Sequence, residues 1–339
     1  MSELWRPVSS CTSGCLPRPD AVPRAGRALV AWRVTAIIAV LLAGGVSLLL
    51  LATLRLPIRR AVRLFARGLL AGLGIRHTAN RRLPVRRALL VANHVSWVDV
   101  LVLVAHAPAR VLAKREVRAW PVAGWLACIT GTIFLDRRRP RRLPATVAEV
   151  RTALDAGGVV AVFPEGTTWC GLAHGRFRPA LFQAAIDVGA PVVPVTLSFR
   201  MAGRPSTVAA YVGVDTLLAS LGRILRTRGL TVSLRAHPSL HVEPSASRRA
   251  LADAAGGRLH GTGWSLCDQH HHERAWTVDA LDPRELDVAG GGRPTDERER
   301  PGRVESGQQL RHGLDDDLRR DHADVPIRDE RDRTPSLTR

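Results

Sequence analysis

The stretch RALLVANHVSWVDVLVLVAHA, residues 87–107, changes its hydrophobic period at the asparagine-histidine pair in its middle. RALLVAN (87–93) is a short continuous apolar run, the pattern of a strand buried on both faces. From 97 to 107 the apolar residues continue at helical length, so the chain turns from strand to helix across 93–96. Further strand candidates are 110–115, 132–137, 159–164, 192–199, 207–214 and 230–237. Helical patterns fill most gaps between them, at 117–127, 143–156, 178–189 and 216–228. Strands alternating with helices predict an α/β fold, a layered mostly parallel sheet with flanking helices. In such sheets function collects in the loops that follow the strands.

The chain has 339 residues and a formal charge of +19, spread unevenly. Residues 1–245 hold 33 Lys+Arg against 11 Asp+Glu, a net of +22; the remainder holds 16 against 19, a net of −3. The excess would attract anionic lipid or phosphorylated ligands. No recognition helix, RNP-like aromatic set or zinc module accompanies it, so no nucleic-acid partner is expected. Lys114 is the sole lysine. Cys11, Cys15, Cys128, Cys170 and Cys267 form no zinc-type C-x-x-C pair and no even disulfide framework. They read as thiols of a reducing compartment, and no metal is expected.

Residues 1–28 read as a disordered leader. Residues 29–75 read as a membrane anchor, because Val34–Leu54 runs without a charge for a length that crosses a hydrocarbon core. Gly44 and Gly45 also allow a kinked or re-entrant hairpin, and the flanking arginines, Arg18, Arg24, Arg27 and Arg33 against Arg55, Arg59, Arg60, Arg63 and Arg67, barely set an orientation. The reading leans to a catalytic domain on the cytoplasmic face of the cell membrane. Residues 56–75 follow as an amphipathic helix with Val62, Phe65, Leu69 and Leu73 on one face, suited either to an anionic membrane surface or to a core. Residues 76–245 form the expected domain. Residues 246–339, rich in Arg, Asp, Gly and Pro, read as a low-order tail with the abrupt compositional break of a frame-shifted translation, and the HHH at 270–272 lacks a companion ligand cluster.

Within a continuous helix His94 and Asp99 would point about 140° apart. Ser96 followed by Asp99 is a capping-box-like S-x-x-D, which starts the helix at Ser96 and leaves His94 in the preceding turn, free to fold over the carboxylate. A carboxylate on one ring nitrogen fixes the tautomer and lets the other accept a proton from a substrate hydroxyl. Such a pair alone is a weak signal, and a helix cap explains Asp99 equally well. The second signal is VVAVFPEGTTW (159–169), an apolar strand running into Phe163, Pro164, Glu165, Gly166 and Thr167. Pro164 ends strand pairing and Gly166 permits a tight turn.

With Asn93, His94, Ser96 and Asp99, then Gly131, Ile133 and Arg137 in GTIFLDR, then FPEGT, then Pro194 in VVPVTL, the sequence resembles the glycerolipid acyltransferase superfamily, specifically PlsC-like 1-acylglycerol-3-phosphate acyltransferases. The four blocks occur in order across 93–195, and the flanking strands extend the match to about 76–245. The resemblance implies acyl transfer from a thioester of coenzyme A or acyl carrier protein to a lysophospholipid hydroxyl, in phospholipid biosynthesis. It implies His94 as general base and Asp99 as its orienting group. It places Arg137, Phe163, Pro164, Glu165, Gly166 and Thr167 at the substrate, with Asn93, Ser96, Gly131 and Arg178 in support. It implies no cofactor.

Arg137 suits a phosphate through its planar fork of donors. Glu165 would meet a glycerol hydroxyl, hold an arginine, or anchor its turn. The run DRRRPRR (136–142) reads as an anion site or as a solvated loop. Arg178-Pro179-Ala180 stands where the family has K-x-G, and Trp169-Cys170 where small polar residues are usual; both put the acceptor headgroup at issue. Cys170 reads as a bystander. The rival readings are an acyltransferase for another lyso-lipid such as lyso-ornithine lipid, and a catalytically silent membrane lipid-binding protein.

Overall fold

The computed structural model describes residues 8–243 and 245–260. Two helices, α1 (Arg27–Thr53) and α2 (Arg59–Gly72), precede the sheet. The strands and helices that follow are β1 (Arg76–Ala79), β2 (Ala88–Ala92), α3 (Val98–His106), β3 (Ala109–Lys114), α4 (Pro121–Ile129), β4 (Ile133–Leu135), α5 (Leu143–Asp155) and β5 (Val159–Val162). Then come α6 (Phe182–Val188), β6 (Val192–Met201), β7 (Arg204–Pro205), α7 (Leu217–Leu225), β8 (Leu230–Ala236) and α8 (Arg248–His260).

The strand order is β1-β8-β6-β2-β5-β3-β4, with the short β7 added to β6. Pairing is parallel from β6 through β4, and antiparallel where β6 meets β8 and β7. The α/β class and mostly parallel sheet therefore stand as expected. Both faces are covered, which is why the central strands are apolar throughout. Leu90 and Ala92 of β2 point to the face covered by α2 and α3, against Leu70 and Leu103. Leu89 and Val91 point to the opposite face, against Leu154 of α5 and Phe182 of α6.

Three sequence expectations change. Residues 207–214 form turns, not a strand; Val208, Ala209 and Ala210 are fully buried, and an apolar run buried in a loop carries the same signal as a strand. The leader is ordered from residue 8: Cys11 and Cys15 are buried, the Thr207 hydroxyl donates to the Cys15 carbonyl at 2.7 Å, and the Ala25 N–H donates to the Arg226 carbonyl at 2.8 Å. The expected boundary after 245 cuts off α8, whose Leu251, Ala252 and Ala255 complete the core under α6. Its alanines and glycines hide a real buried stripe in a low-hydropathy sequence. The rest of the expected tail, residues 261–339 with Cys267 and 270–272, lies outside the described residues.

α1 is long and apolar enough to cross a membrane. It continues as one helix through Gly44 and Gly45 and lies antiparallel against α2, with Gly44 under the Phe65 ring and Ile37 and Val40 over Gly72 and Gly68. The small residues serve close helix approach. α2 also packs on α3, so its apolar face belongs to the core, as the second of its two readings had it. Arg33 is buried, and is no flanking charge: Nη1 donates to the carbonyls of Leu225 at 2.8 Å and Thr227 at 2.7 Å, capping the C-terminal end of α7.

Candidate active site

The chain leaves β2 for β3, beyond β5, and leaves β5 for β6, beyond β2. Successive connections thus depart in opposite directions between β2 and β5, and a crevice opens at such a point in an open α/β sheet. The C-terminal ends of these two strands bring residues 93–97 and 163–170 together.

His94 Nδ1 lies 2.9 Å from Asp99 Oδ2. The same oxygen accepts the N–H groups of Val95 at 2.6 Å and Ser96 at 2.8 Å, and Asp99 is 0% exposed. An oxygen already accepting two N–H groups is an acceptor towards the ring as well, so Nδ1 carries the proton and Nε2 the lone pair. His94 keeps 21% of its side chain exposed. Among the described residues nothing hydrogen-bonds Nε2. The capping box is half formed: Asp99 reaches back to Ser96 as expected, whereas the Ser96 hydroxyl accepts from Val98 at 3.3 Å and the helix begins one residue past Trp97.

Neighbouring strands hold the turn. Asn93 exchanges two hydrogen bonds with the backbone of Leu197 on β6, at 3.0 and 2.7 Å. The Trp169 N–H donates to the His94 carbonyl at 2.8 Å, and the Tyr211 N–H to that of Val95 at 2.9 Å. Phe163 stacks on the His94 ring, centroids 4.0 Å apart and planes 15° apart.

Phe163-Pro164-Glu165-Gly166 is a β-turn closed by the Gly166 N–H on the Phe163 carbonyl at 3.0 Å. Gly166 sits at φ 77°, a backbone state that glycine takes without steric cost. Glu165 is 3% exposed. Its Oε2 accepts from the His94 N–H at 2.8 Å and its Oε1 from the Gly175 N–H at 3.3 Å. Of its three sequence readings, the turn anchor is the one these hydrogen bonds support.

Glu165 Oε1 also lies 3.5 Å from His260 Nε2, at the end of α8, and His260 stacks on His174 at 3.7 Å. Burial above all pushes Glu165 up to about 8, while burial and then His174 push His260 down to about 4. His260 carries no signal in the sequence, since only the docking of α8 brings it here.

Further along the same sheet edge, β3 ends on Lys114 and β4 leads into Arg137. At roughly 4.8 Å per strand, these ends lie about 10 and 14 Å from that of β2. Asp136 is taken by Arg115 at 2.8 Å, which holds its carboxyl below the usual range, and Arg138 lies 3.5 Å from Glu116. Arg137 has no hydrogen-bond partner among the described residues. Burial lowers its pKa, with Glu116 opposing and Arg178 adding to the shift. Desolvation of the Lys114 ammonium and then Arg137 lower its pKa, against Glu116. Arg178 is fixed by its N–H on the Pro164 carbonyl at 2.9 Å. Lys114, Arg137 and Arg178 thus share one electrostatic field at the end of the sheet that also carries the His94 turn. The sequence reading missed Lys114, although its being the single lysine was a signal. Thr167 makes no side-chain hydrogen bond among the described residues, and Gly131 turns the chain into β4 at φ 71°.

The profile of the family Acyltransferase matches residues 74–198. Over 140 residues the chain is 45% identical to a lyso-ornithine lipid O-acyltransferase of Pseudomonas aeruginosa, covering 41% of this chain and 53% of that one. It is 36% identical over 201 residues to a 1-acyl-sn-glycerol-3-phosphate acyltransferase of Neisseria meningitidis, covering 57% of this chain and 77% of the relative. The crystal structure of the 1-acyl-sn-glycerophosphate acyltransferase PlsC from Thermotoga maritima superposes with a TM-score of 0.53, covering 73% of this chain and 94% of that one at 20% identity, a likeness of fold.

Proposed function

Because the chain belongs to the acyltransferase family, we propose that it transfers an acyl chain from an acyl thioester to the free hydroxyl of 1-acylglycerol-3-phosphate, giving phosphatidic acid. The observation that carries this reading is the His94–Asp99 pair at 2.9 Å with Nε2 left open.

Nε2 takes the hydroxyl proton as the oxygen attacks the thioester carbonyl. Asp99 holds the ring in the tautomer that leaves Nε2 basic, and stabilises the imidazolium that forms. The tetrahedral intermediate collapses with loss of the thiolate, which takes the proton back from His94. The products are an ester and a thiol, so no metal or redox group is needed to balance the step. Arg137, Lys114 and Arg178 bind the acceptor phosphate as charge-assisted donors. Phe163 and Glu165 position His94, through its ring and its backbone N–H.

The field favours a phosphate over lyso-ornithine lipid. That zwitterion carries an ammonium needing an acidic partner, and the acids in the cluster, Glu116 and Asp136, already face Arg138 and Arg115. The test is purified protein with labelled acyl-CoA or acyl-acyl carrier protein and both acceptors. Preference for the phosphate acceptor supports the reading; acylation of lyso-ornithine lipid alone replaces it with the rival, and no acyl transfer to any lyso-lipid leaves a binding protein.

Membrane association is expected through α1. Val34, Ile38, Leu42 and Val46 form an exposed stripe at i, i+4 spacing, with Leu64, Trp120 and Trp125 exposed nearby. Arg33 ties the start of α1 to α7, and Gly45 lies against Trp125. Both halves of α1 are therefore held on the domain, a geometry suited to a helix embedded from one side. The domain would face the cytoplasm, where acyl thioesters are made.

A further inference from the structure

Three cysteines that the acyl-transfer chemistry does not use meet behind the active-site loop. Cys11 and Cys15 come from the leader and Cys170 from the segment after FPEGTTW, and their sulfur atoms all lie within 4.8 Å of one another. They are 3%, 4% and 0% exposed. The surrounding backbone holds each in place. Ser13–Cys15 is a 3-10 turn started by Thr12, whose hydroxyl accepts from the Gly14 N–H at 3.2 Å. The Cys11 N–H donates to the Ser9 hydroxyl at 2.9 Å, and the Thr207 hydroxyl donates to the Cys15 carbonyl at 2.7 Å. The Cys170 N–H donates to Cys11 Sγ at 3.3 Å, the kind of outer contact that stabilises a ligating thiolate.

We propose that Cys11, Cys15 and Cys170 form a binding site for one soft cation, Zn(II) or Cu(I). An all-sulfur donor set selects these ions over Mg(II) or Ca(II), which prefer oxygen. Thiolates about 2.3 Å from a common centre stand roughly 3.8 Å apart, so a closure of about 1 Å or less from the present spacing suffices. Three ligands complete a trigonal Cu(I) site. For Zn(II) they leave a fourth position to an oxygen donor. The sequence concealed the site because its C-x-x-x-C and its third cysteine are far apart in the chain. Bound there, the cation would staple the leader to the segment whose Trp169 N–H holds the His94 carbonyl. It would act as a positioning element, without touching substrate.

The test is metal analysis of the full chain purified in detergent under reducing conditions, beside C11S, C15S and C170S. C128S and the wild type serve as the controls. After chelation, Zn(II), Cu(I) and Co(II) are titrated back separately, with sulfur-to-metal charge transfer of Co(II) reporting thiolate ligation. About one equivalent per wild-type chain, and a loss of at least tenfold in affinity in each of the three variants but not in the controls, is expected. The tight-binding arm tells Zn(II) from Cu(I). Should a serine variant fail to fold, the wild type alone decides: bound metal must slow modification of three thiols by a thiol reagent. Binding unaffected by C170S, no uptake of any of the three ions, or a disulfide among the three cysteines under these conditions would overturn the proposal. None of these readouts depends on acyl transfer, so this proposal and the acyltransferase reading fail independently.

Discussion

The Glu165 carboxylate accepts the backbone N–H of His94 at 2.8 Å, joining the turn after β5 to the turn after β2. The side chain and the backbone of one histidine are thus each held by a different buried acid. Asp99 sets the ring, and Glu165 sets the peptide that carries it.

This division predicts a difference between two Glu165 variants. Glu165→Gln keeps an oxygen acceptor for the His94 N–H and matches the neutral form, so kcat stays within a few-fold of wild type. Glu165→Ala leaves two backbone donors unpaired and lets His94 drift, with a loss of kcat of about 100-fold. Steady-state kinetics on both, with circular dichroism to show that each folds, checks this.

The buried Glu165 also links stability to pH. Its pKa is pushed up to about 8 by burial, against an ordinary value of 4.5. Between these values the folded chain holds a proton that the unfolded chain has released, so stability falls as pH rises. The contribution is fully present below about pH 4.5 and lost by about pH 8. Thermal unfolding in detergent across this window is expected to show a steeper decline for wild type than for Glu165→Gln. Parallel profiles would remove the link.

Lys114 and Arg137 lie where an acceptor phosphate is expected and away from the reacting hydroxyl. Lys114→Met and Arg137→Met each raise KM for 1-acylglycerol-3-phosphate by about 10- to 100-fold, from roughly 1.5–3 kcal/mol for a hydrogen bond to a charged group. KM for the acyl thioester stays close to wild type. Substrate-saturation curves for the two substrates separately give the answer.

Arg33 carries a structural prediction. Arg33→Met leaves the Leu225 and Thr227 carbonyls without their donor and costs about 1–3 kcal/mol. Gly74→Ala acts on the same contact, because a Cβ there would stand 2.2 Å from Arg33 Nη2, at a φ of 71° that alanine disfavours. Thermal shifts of the two single variants and the double variant measure it: the pair couples, so the double variant loses less than the sum of the singles.

The sequence is readable where a local pattern decides the structure. β2 and β5 announce themselves as short apolar runs because both sheet faces are buried, and His94 with Asp99 is visible because five residues of turn suffice to join them. β1 escapes because Arg76–Ala79 is an edge strand with exposed and half-exposed residues and no apolar signature. The run at 207–214 misleads because burial, and not strand pairing, made it apolar. His260 and the cysteine triad could not be read at all, since each owes its place to contacts between segments far apart in the chain.

The most direct measurement is kcat/KM for acyl transfer to 1-acylglycerol-3-phosphate by His94→Ala, in a protein shown to be folded and to bind the acceptor. A fall of about a thousandfold or more is predicted, since the general base supplies on the order of 10²–10⁴ in rate. Transfer at close to the wild-type rate would contradict the assignment of His94 as the base.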